Sequence, residues 1–349
     1  MEFDPEVGKL KCPYCGSTMD VPQEGLRAIE EHPLEQFLGD ALTGHLGQMS
    51  AQALEVSCSG CGASVVFEPP EVAGACSFCG ANIVTQPKAA DPLIAPDGVL
   101  PFAIKKVDAH DRVKGWLSTR WFAPSALKRV ARPEGIHGVY LPFWTFDAET
   151  ESRYAGERGD YYYVTETYWT NENGRQVQRT RQVRRTRWTP ASGQVQVGFD
   201  DILVAGSNAV VRKRLDELEP WDLPALKPYE PGYLSGFQAQ RYQVDLPEGL
   251  RCARDVMSGE IRDAVHRDIG GDEQRVHSVD TNYFQETFKH LLLPVWIGAY
   301  QFQSKVYQVV VNARTGEVQG ERPWSAWKIA GLVVAVIALI VLIALIAQE

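Results

Sequence analysis

The chain has 349 residues, 44% hydrophobic and 23% charged, enough for about two domains at roughly 150 residues each. That balance excludes a wholly disordered chain, a collagen-like repeat and a minimal disulfide scaffold. With 44 acidic against 35 basic residues the formal net charge is −9, which excludes a general non-specific grip on nucleic acid unless positive charge is gathered locally.

Six of the seven cysteines lie in Cys-x-x-Cys pairs, a spacing that favours metal over disulfides and a reducing compartment. The first pair, Cys12 and Cys15 in residues 1–22, reads as a partial zinc-ribbon knuckle. A shift of 64 residues aligns Cys12-Pro13-Tyr14-Cys15-Gly16 with Cys76-Ser77-Phe78-Cys79-Gly80, so its missing half would precede Met1. A late start, a lost half, His32 or His45 as ligands, and an ion shared by two chains are the alternatives for completing it. Residues 23–56 read as an amphipathic helix, with Leu34, Phe37, Leu38, Leu42, Leu46, Met49 and Ala53 on one stripe.

Residues 57–84 carry the strongest motif. Cys58 and Cys61 are followed after 14 residues by Cys76 and Cys79, with Gly62 and Gly80 directly behind each pair. Four thiolates on two such turns suit a tetrahedral, structural Zn²⁺, and the glycines let the backbone amides turn toward the sulfurs. Residues 85–100, with Pro87, Pro92 and Pro96, read as a semi-rigid linker.

Residues 101–219 and 220–323 read as two related halves of one body. Each runs from a strand through a helix to a Leu-Pro-x-Trp strand, Leu141-Pro142-Phe143-Trp144 and Leu293-Pro294-Val295-Trp296. Asn171-Glu172-Asn173-Gly174 marks a hairpin turn between long strand-like runs. On the second run Arg179, Arg181, Arg185 and Arg187 share one parity and project from one sheet face, with Arg175 just ahead. Such a stripe holds phosphates or an acidic partner, unless Asp147, Glu149, Glu151, Glu157, Asp160 or Glu166 neutralise it across the strands. No phosphate loop, Gly-x-Ser-x-Gly elbow or His-Glu-x-x-His helix is present, and Cys252 reads as a small buried hydrophobe, so no enzyme is expected.

Residues 329–347 are drawn only from Ile, Leu, Val, Ala and Gly. As a helix they reach about 28 Å, close to the roughly 30 Å hydrocarbon core, and predict a transmembrane helix. Arg322 and Lys328 on its N-terminal side predict a single-pass, tail-anchored protein with its bulk in the cytoplasm. The expected fold class is therefore α+β: zinc ribbons, a duplicated and mainly antiparallel sheet body with helices, and one C-terminal span.

Together, the Cys-x-x-Cys-Gly pairs, the run from Gly138 to Asp147, the run from Arg179 to Pro190 and the segment from Asn312 to Pro323 ahead of the apolar tail resemble the bacterial TFIIB-type zinc-ribbon membrane proteins. Members are often encoded beside phage-shock PspA relatives and SPFH-domain proteins, and some bear names borrowed from the primosomal helicase. The resemblance implies a zinc-containing adaptor in the bacterial cytoplasmic membrane that recruits or organises PspA- or SPFH-like proteins during envelope stress. This chain shows only half of the first ribbon and lacks the phosphate loop a helicase requires. A membrane-tethered nucleic-acid-binding ribbon protein is the alternative.

Overall fold

In the computed structural model, the structure describes residues 1–22, 29–38, 46–47, 54–58, 62–67, 73–76, 78, 82–84, 88–89, 93–120, 135–172, 175–302, 305–321 and 325–346. Short strands come first: β1 (Glu2–Asp4), β2 (Lys9–Lys11), β3 (Thr18–Met19), β4 (His32–Pro33), β5 (Leu46–Gly47), β6 (Leu54–Ser57), β7 (Ser64–Phe67), β8 (Ala73–Ala75), β9 (Asn82–Val84), β10 (Lys88–Ala89), β11 (Leu93–Ile94) and β12 (Gly98–Val99). After helix α1 (Lys106–Ser118) come the long strands β13 (Ile136–Glu172) and β14 (Arg175–Ala205). Helix α2 (Arg212–Asp216), β15 (Lys227–Pro228), β16 (Gln238–Ala239), helix α3 (Leu246–Ile269), β17 (Glu273–Phe302), β18 (Lys305–Asn312), β19 (Val318–Gly320) and helix α4 (Ala326–Ile346) complete the order.

The principal sheet runs β14-β13-β17-β12-β15, with β4 and β18 also on β17 and β16 on β13. Its centre is the antiparallel ladder of β13 on β17, in which Leu141 faces Leu293. The two Leu-Pro-x-Trp motifs thus lie side by side in opposite directions. Short strands exchange around this point: β12 runs parallel to β17 and β16 parallel to β13. The short strand ahead of β13 thus joins β17, and the short strand ahead of β17 joins β13.

Side-chain alternation explains why the middle of β17 is an almost unbroken apolar run. Leu291, Leu293, Val295 and Ile297 enter one buried cluster with Leu141 and Phe143, while Leu292 and Trp296 enter another with Val99, Phe102 and Tyr140. A strand covered on both faces needs apolar residues at both parities. Helix α3 covers the neighbouring stretch of sheet, with Leu250, Ala253, Met257 and Ile261 against Trp144, Phe146 and Phe288. Asp245 caps its N-terminus by accepting from Glu248 N at 2.9 Å, and Gly249 permits the close approach, since a Cβ there would lie 2.9 Å from Trp144.

The N-terminal part differs from expectation. No amphipathic helix fills 23–56 among the described residues: His32–Pro33 is a strand on β17, followed by a 3₁₀ turn at Leu34–Gln36. Pro33 withholds a backbone donor from any helix. Leu34 and Phe37 bury instead in the α3 cluster, where the Phe37 ring meets Phe288 edge-on at 4.9 Å. His32 Nε2 lies 2.6 Å from Asp97 Oδ1, and Glu31 pairs with Lys289 at 3.1 Å.

The expected fold class is also corrected. Among the described residues the protein is mostly antiparallel sheet with four helices, and none of these helices is both long and apolar enough to cross a membrane. The transmembrane span over 329–347, the tail anchor and the single-pass address in the cytoplasmic membrane are therefore not supported.

His290 reports on the integrity of this core. Its Nδ1 donates to Ile94 O at 2.9 Å, its Nε2 has no partner among the described residues, and burial pushes the imidazole below its ordinary 6.5. The folded protein resists protonation while the unfolded chain accepts it, so the contribution is complete above 6.5 and lost as pH falls below that value. The thermal midpoint, followed by circular dichroism from about pH 7.5 to about pH 5, is expected to fall, and to fall less steeply in His290→Phe.

Candidate functional site: an arginine-rich β-arm

β17 begins at Glu273, opposite Gly159, whereas β13 and β14 continue to Glu172 and Arg175 as a two-stranded ribbon. At about 3.3 Å per residue the free part, 160–172 paired with 175–187, is about 40 Å long. Its root is pinned where the third strand stops. Tyr161 N donates to Asp272 Oδ2 at 2.7 Å, Tyr161 OH donates to Glu273 at 2.8 Å, and Arg275 stacks 3.8 Å over the Trp188 ring.

The arm reverses the sign of the rest of the molecule. Between 160 and 188, six arginines face Asp160, Glu166 and Glu172, a net charge of +3 that leaves −12 for the remainder of a chain at −9. The ladder pairs Arg179 with Tyr168, Arg181 with Glu166, Arg185 with Tyr162 and Arg187 with Asp160, so the four expected arginines do share one face. Glu166 sits between two of them, accepting from Arg185 at 2.7 Å and from Arg181 at 3.2 Å. Arg187 lies 5.2 Å over Tyr162 and Arg181 5.6 Å over Tyr168. The opposite face carries Arg184, 4.1 Å over Tyr161, with Tyr163 and Trp169 about two-thirds exposed.

Most of the acids expected to neutralise the stripe are engaged elsewhere. Asp160 pairs with Arg158, Glu157 with Arg275 and Glu151 with Arg153. Asp147 accepts from Thr287 at 2.9 Å and from Asp201 N at 2.6 Å. Glu166 holds Arg181 and Arg185, while cation–π contacts hold Arg184 and Arg187 and add to the hold on Arg181; a cation–π contact leaves guanidinium N–H donors available in plane. Sequence parity identified four of these arginines. Arg184 and the aromatic face were missed, although the run Tyr161-Tyr162-Tyr163 was their signal.

The cysteines require a correction. Cys58 and Cys76 are buried with Ala63 and Phe78, but Cys61 and Cys79 lie outside the described residues. Cys58 N donates to Ala63 O and Gly62 N to Cys58 O, both at 2.8 Å, with Gly62 at φ +76°. The Cys12 loop repeats this geometry: Cys12 N donates to Ser17 O at 2.9 Å and Gly16 N to Cys12 O at 3.0 Å, with Gly16 at φ +73°. Cys15 is exposed, and its hydrogen bond to Ser17 lowers the thiol to about 7. Among the described residues, however, no cluster of three or more ligands forms around any cysteine, so a zinc ribbon is not supported. His32, a candidate to complete the Cys12 site, is committed to Asp97, and His45 is not among the described residues.

A carboxylate group does gather at the bulge of β13, where Asp147, Asp200 and Asp201 bring oxygens within 4.8 Å of one another. Lys289 already supplies its cation, 2.7 Å from Asp201 and 3.9 Å from Asp147. Repulsion from Asp201 raises the Asp200 carboxyl above its usual range.

No known protein family and no solved structure matches the chain. It is similar to the uncharacterized protein YdjG of Bacillus subtilis (strain 168), 26% identical over 251 residues, which cover 68% of this chain and 66% of the relative. The match thus spans a little under two thirds of that protein.

The arm's charge arrangement makes a direct prediction. Hydrogen bonds from Arg185 and Arg181 hold the Glu166 carboxyl below its ordinary 4.5, so its contribution to arm stability is complete above 4.5 and lost as pH falls through the lowered value. A carbon-detected NMR titration is expected to place the Glu166 midpoint below 4.5, and Arg181→Ala with Arg185→Ala to return it to the ordinary range.

Proposed function

We propose that this chain is a non-enzymatic adaptor that docks an acidic protein partner on the arginine face of its projecting β-arm. The observation that carries the reading is the segregation of charge: a +3 ribbon on a chain whose net charge is −9. Arginine forks present paired N–H donors that match carboxylates, and the tyrosine rings beneath them pre-order the guanidinium groups, which lowers the entropy cost of docking. A two-stranded ribbon is marginally stable alone in water, so a partner laid along it would also stabilise the arm. PspA- or SPFH-like proteins, implied by the family resemblance, are the first partners to test, and envelope stress the first setting.

Exposed Tyr163 and Trp169 beside Arg184 favour a second reading, single-stranded nucleic acid, in which bases stack on the aromatic face. The two readings place the ligand on opposite faces.

Fluorescence anisotropy of the full chain, with a labelled polyglutamate peptide and a labelled oligothymidine as probes, separates them. Arg181→Glu with Arg185→Glu is expected to weaken peptide binding at least tenfold, about 1.4 kcal/mol, while Trp169→Ala leaves it unchanged. Loss of oligothymidine binding in Trp169→Ala, with no peptide binding by the unaltered protein, would support the nucleic-acid reading instead.

A further inference from the structure

The arm has a second feature, separate from its arginine face: an open edge. Because Tyr161 N points to Asp272 on the β17 side, the odd-numbered residues of β13 direct both backbone N–H and C=O to that side. From Tyr163 to Asn171 no strand follows there among the described residues, so Tyr163, Thr165, Thr167, Trp169 and Asn171 present an unpaired row. The run Tyr161-Tyr162-Tyr163-Val164-Thr165-Glu166-Thr167-Tyr168-Trp169-Thr170 holds aromatic and β-branched residues and one charge. Long edges of that composition are templates for another strand, and nothing along this stretch blunts it with lysine, proline or a bulge.

We infer that this edge pairs with the same edge of a second copy of the chain, giving a twofold dimer in which the two arms form one four-stranded antiparallel sheet. Three arguments select this occupant and geometry. First, the other edge of the arm, β14 from Arg175 to Trp188, carries six arginines and no acid, so β14 against β14 sets like charges side by side. Second, two arms pointing the same way would place their bodies about 5 to 10 Å apart, less than the width of the principal sheet, whereas antiparallel arms send the bodies to opposite ends. Third, the free edge has its midpoint at Thr167, and a twofold axis there places Thr167 opposite itself and Thr165 opposite Trp169. It also places Glu166 opposite Tyr168 and Glu172 opposite Tyr162, so no acid meets an acid. The arginine strands become the outer edges of the new sheet, and their repulsion stops further growth, which closes the assembly at two. The dimer doubles the arginine face without covering it.

Analytical ultracentrifugation of the full chain across a concentration series tests this. Thr167→Pro removes an N–H that points to the open edge and takes no bond from the β13–β14 ladder; Thr180→Pro, its cross-strand neighbour, does the same on the β14 edge. The expected result is a dimer for the unaltered protein and for Thr180→Pro, and at least a tenfold higher dissociation constant for Thr167→Pro, with matching thermal midpoints for all three. A photo-cross-linking amino acid at position 165 should join two chains near Trp169. A monomer at every concentration, or a dimer that Thr167→Pro leaves intact or Thr180→Pro abolishes, overturns the inference. Arg181→Glu with Arg185→Glu is expected to dimerise normally, so failure of this inference and failure of acidic-partner docking are read separately.

Discussion

The ladder between β13 and β17 around Leu141 and Leu293 is the constraint on which the rest of the molecule depends. It is buried on both faces, and both halves contribute to each face, so neither long strand has a complete environment without the other. Exchange of β12 and β16 across this point ties the connection preceding each long strand to the opposite half. Hydrophobic burial over these strands is what permits the chain to extend the same pair of strands well beyond the core. A hairpin in isolation lacks that anchor.

Composition along β13 follows the loss of support step by step. Where both sheet faces are covered, residues of both parities are apolar: Val139, Tyr140, Leu141, Phe143 and Trp144. Where α3 covers one face, burial alternates, with Thr150, Ser152 and Tyr154 turned inward. Tyr154 OH donates to Asp268 on α3, and burial raises its ionisation to about 12, so even this last covered position is held by a polar contact. Past Gly159 neither face nor one of the edges is covered among the described residues, and the sequence turns to tyrosine, threonine and arginine. These fit a pleated surface while tolerating water.

Much of the body was legible in the sequence. The Leu-Pro-x-Trp strands and the parity of Arg179, Arg181, Arg185 and Arg187 each follow from a local pattern that packing did not override. What was not legible arises from tertiary context. The stripe from Leu34 to Ala53 has helical spacing, yet Pro33 and the open edge of β17 at Thr287 and Phe288 make a strand and a short turn better at residues 32–36. Strand length was hidden as well, because Pro142 and Gly159 resemble boundaries in one dimension. Pro142 has no N–H to lose, and its carbonyl accepts from Gly206 at 2.8 Å. The arm itself is invisible to periodicity, since an alternating strand reads the same whether or not a third strand lies beside it.

Distance gives the charge segregation its consequence. The acidic remainder of the chain outweighs the arm four to one, +3 against −12, and at close range it would cancel the arm's field. At physiological ionic strength the Debye length is about 8 Å, and the arm is about 40 Å long. Its distal arginines therefore lie several screening lengths from the body and present a local positive field that the net charge does not reveal. A polyanionic surface approaching the molecule is repelled by the body and attracted by the arm, so the same charge pattern that makes the arm the contact point also sets the orientation of encounter.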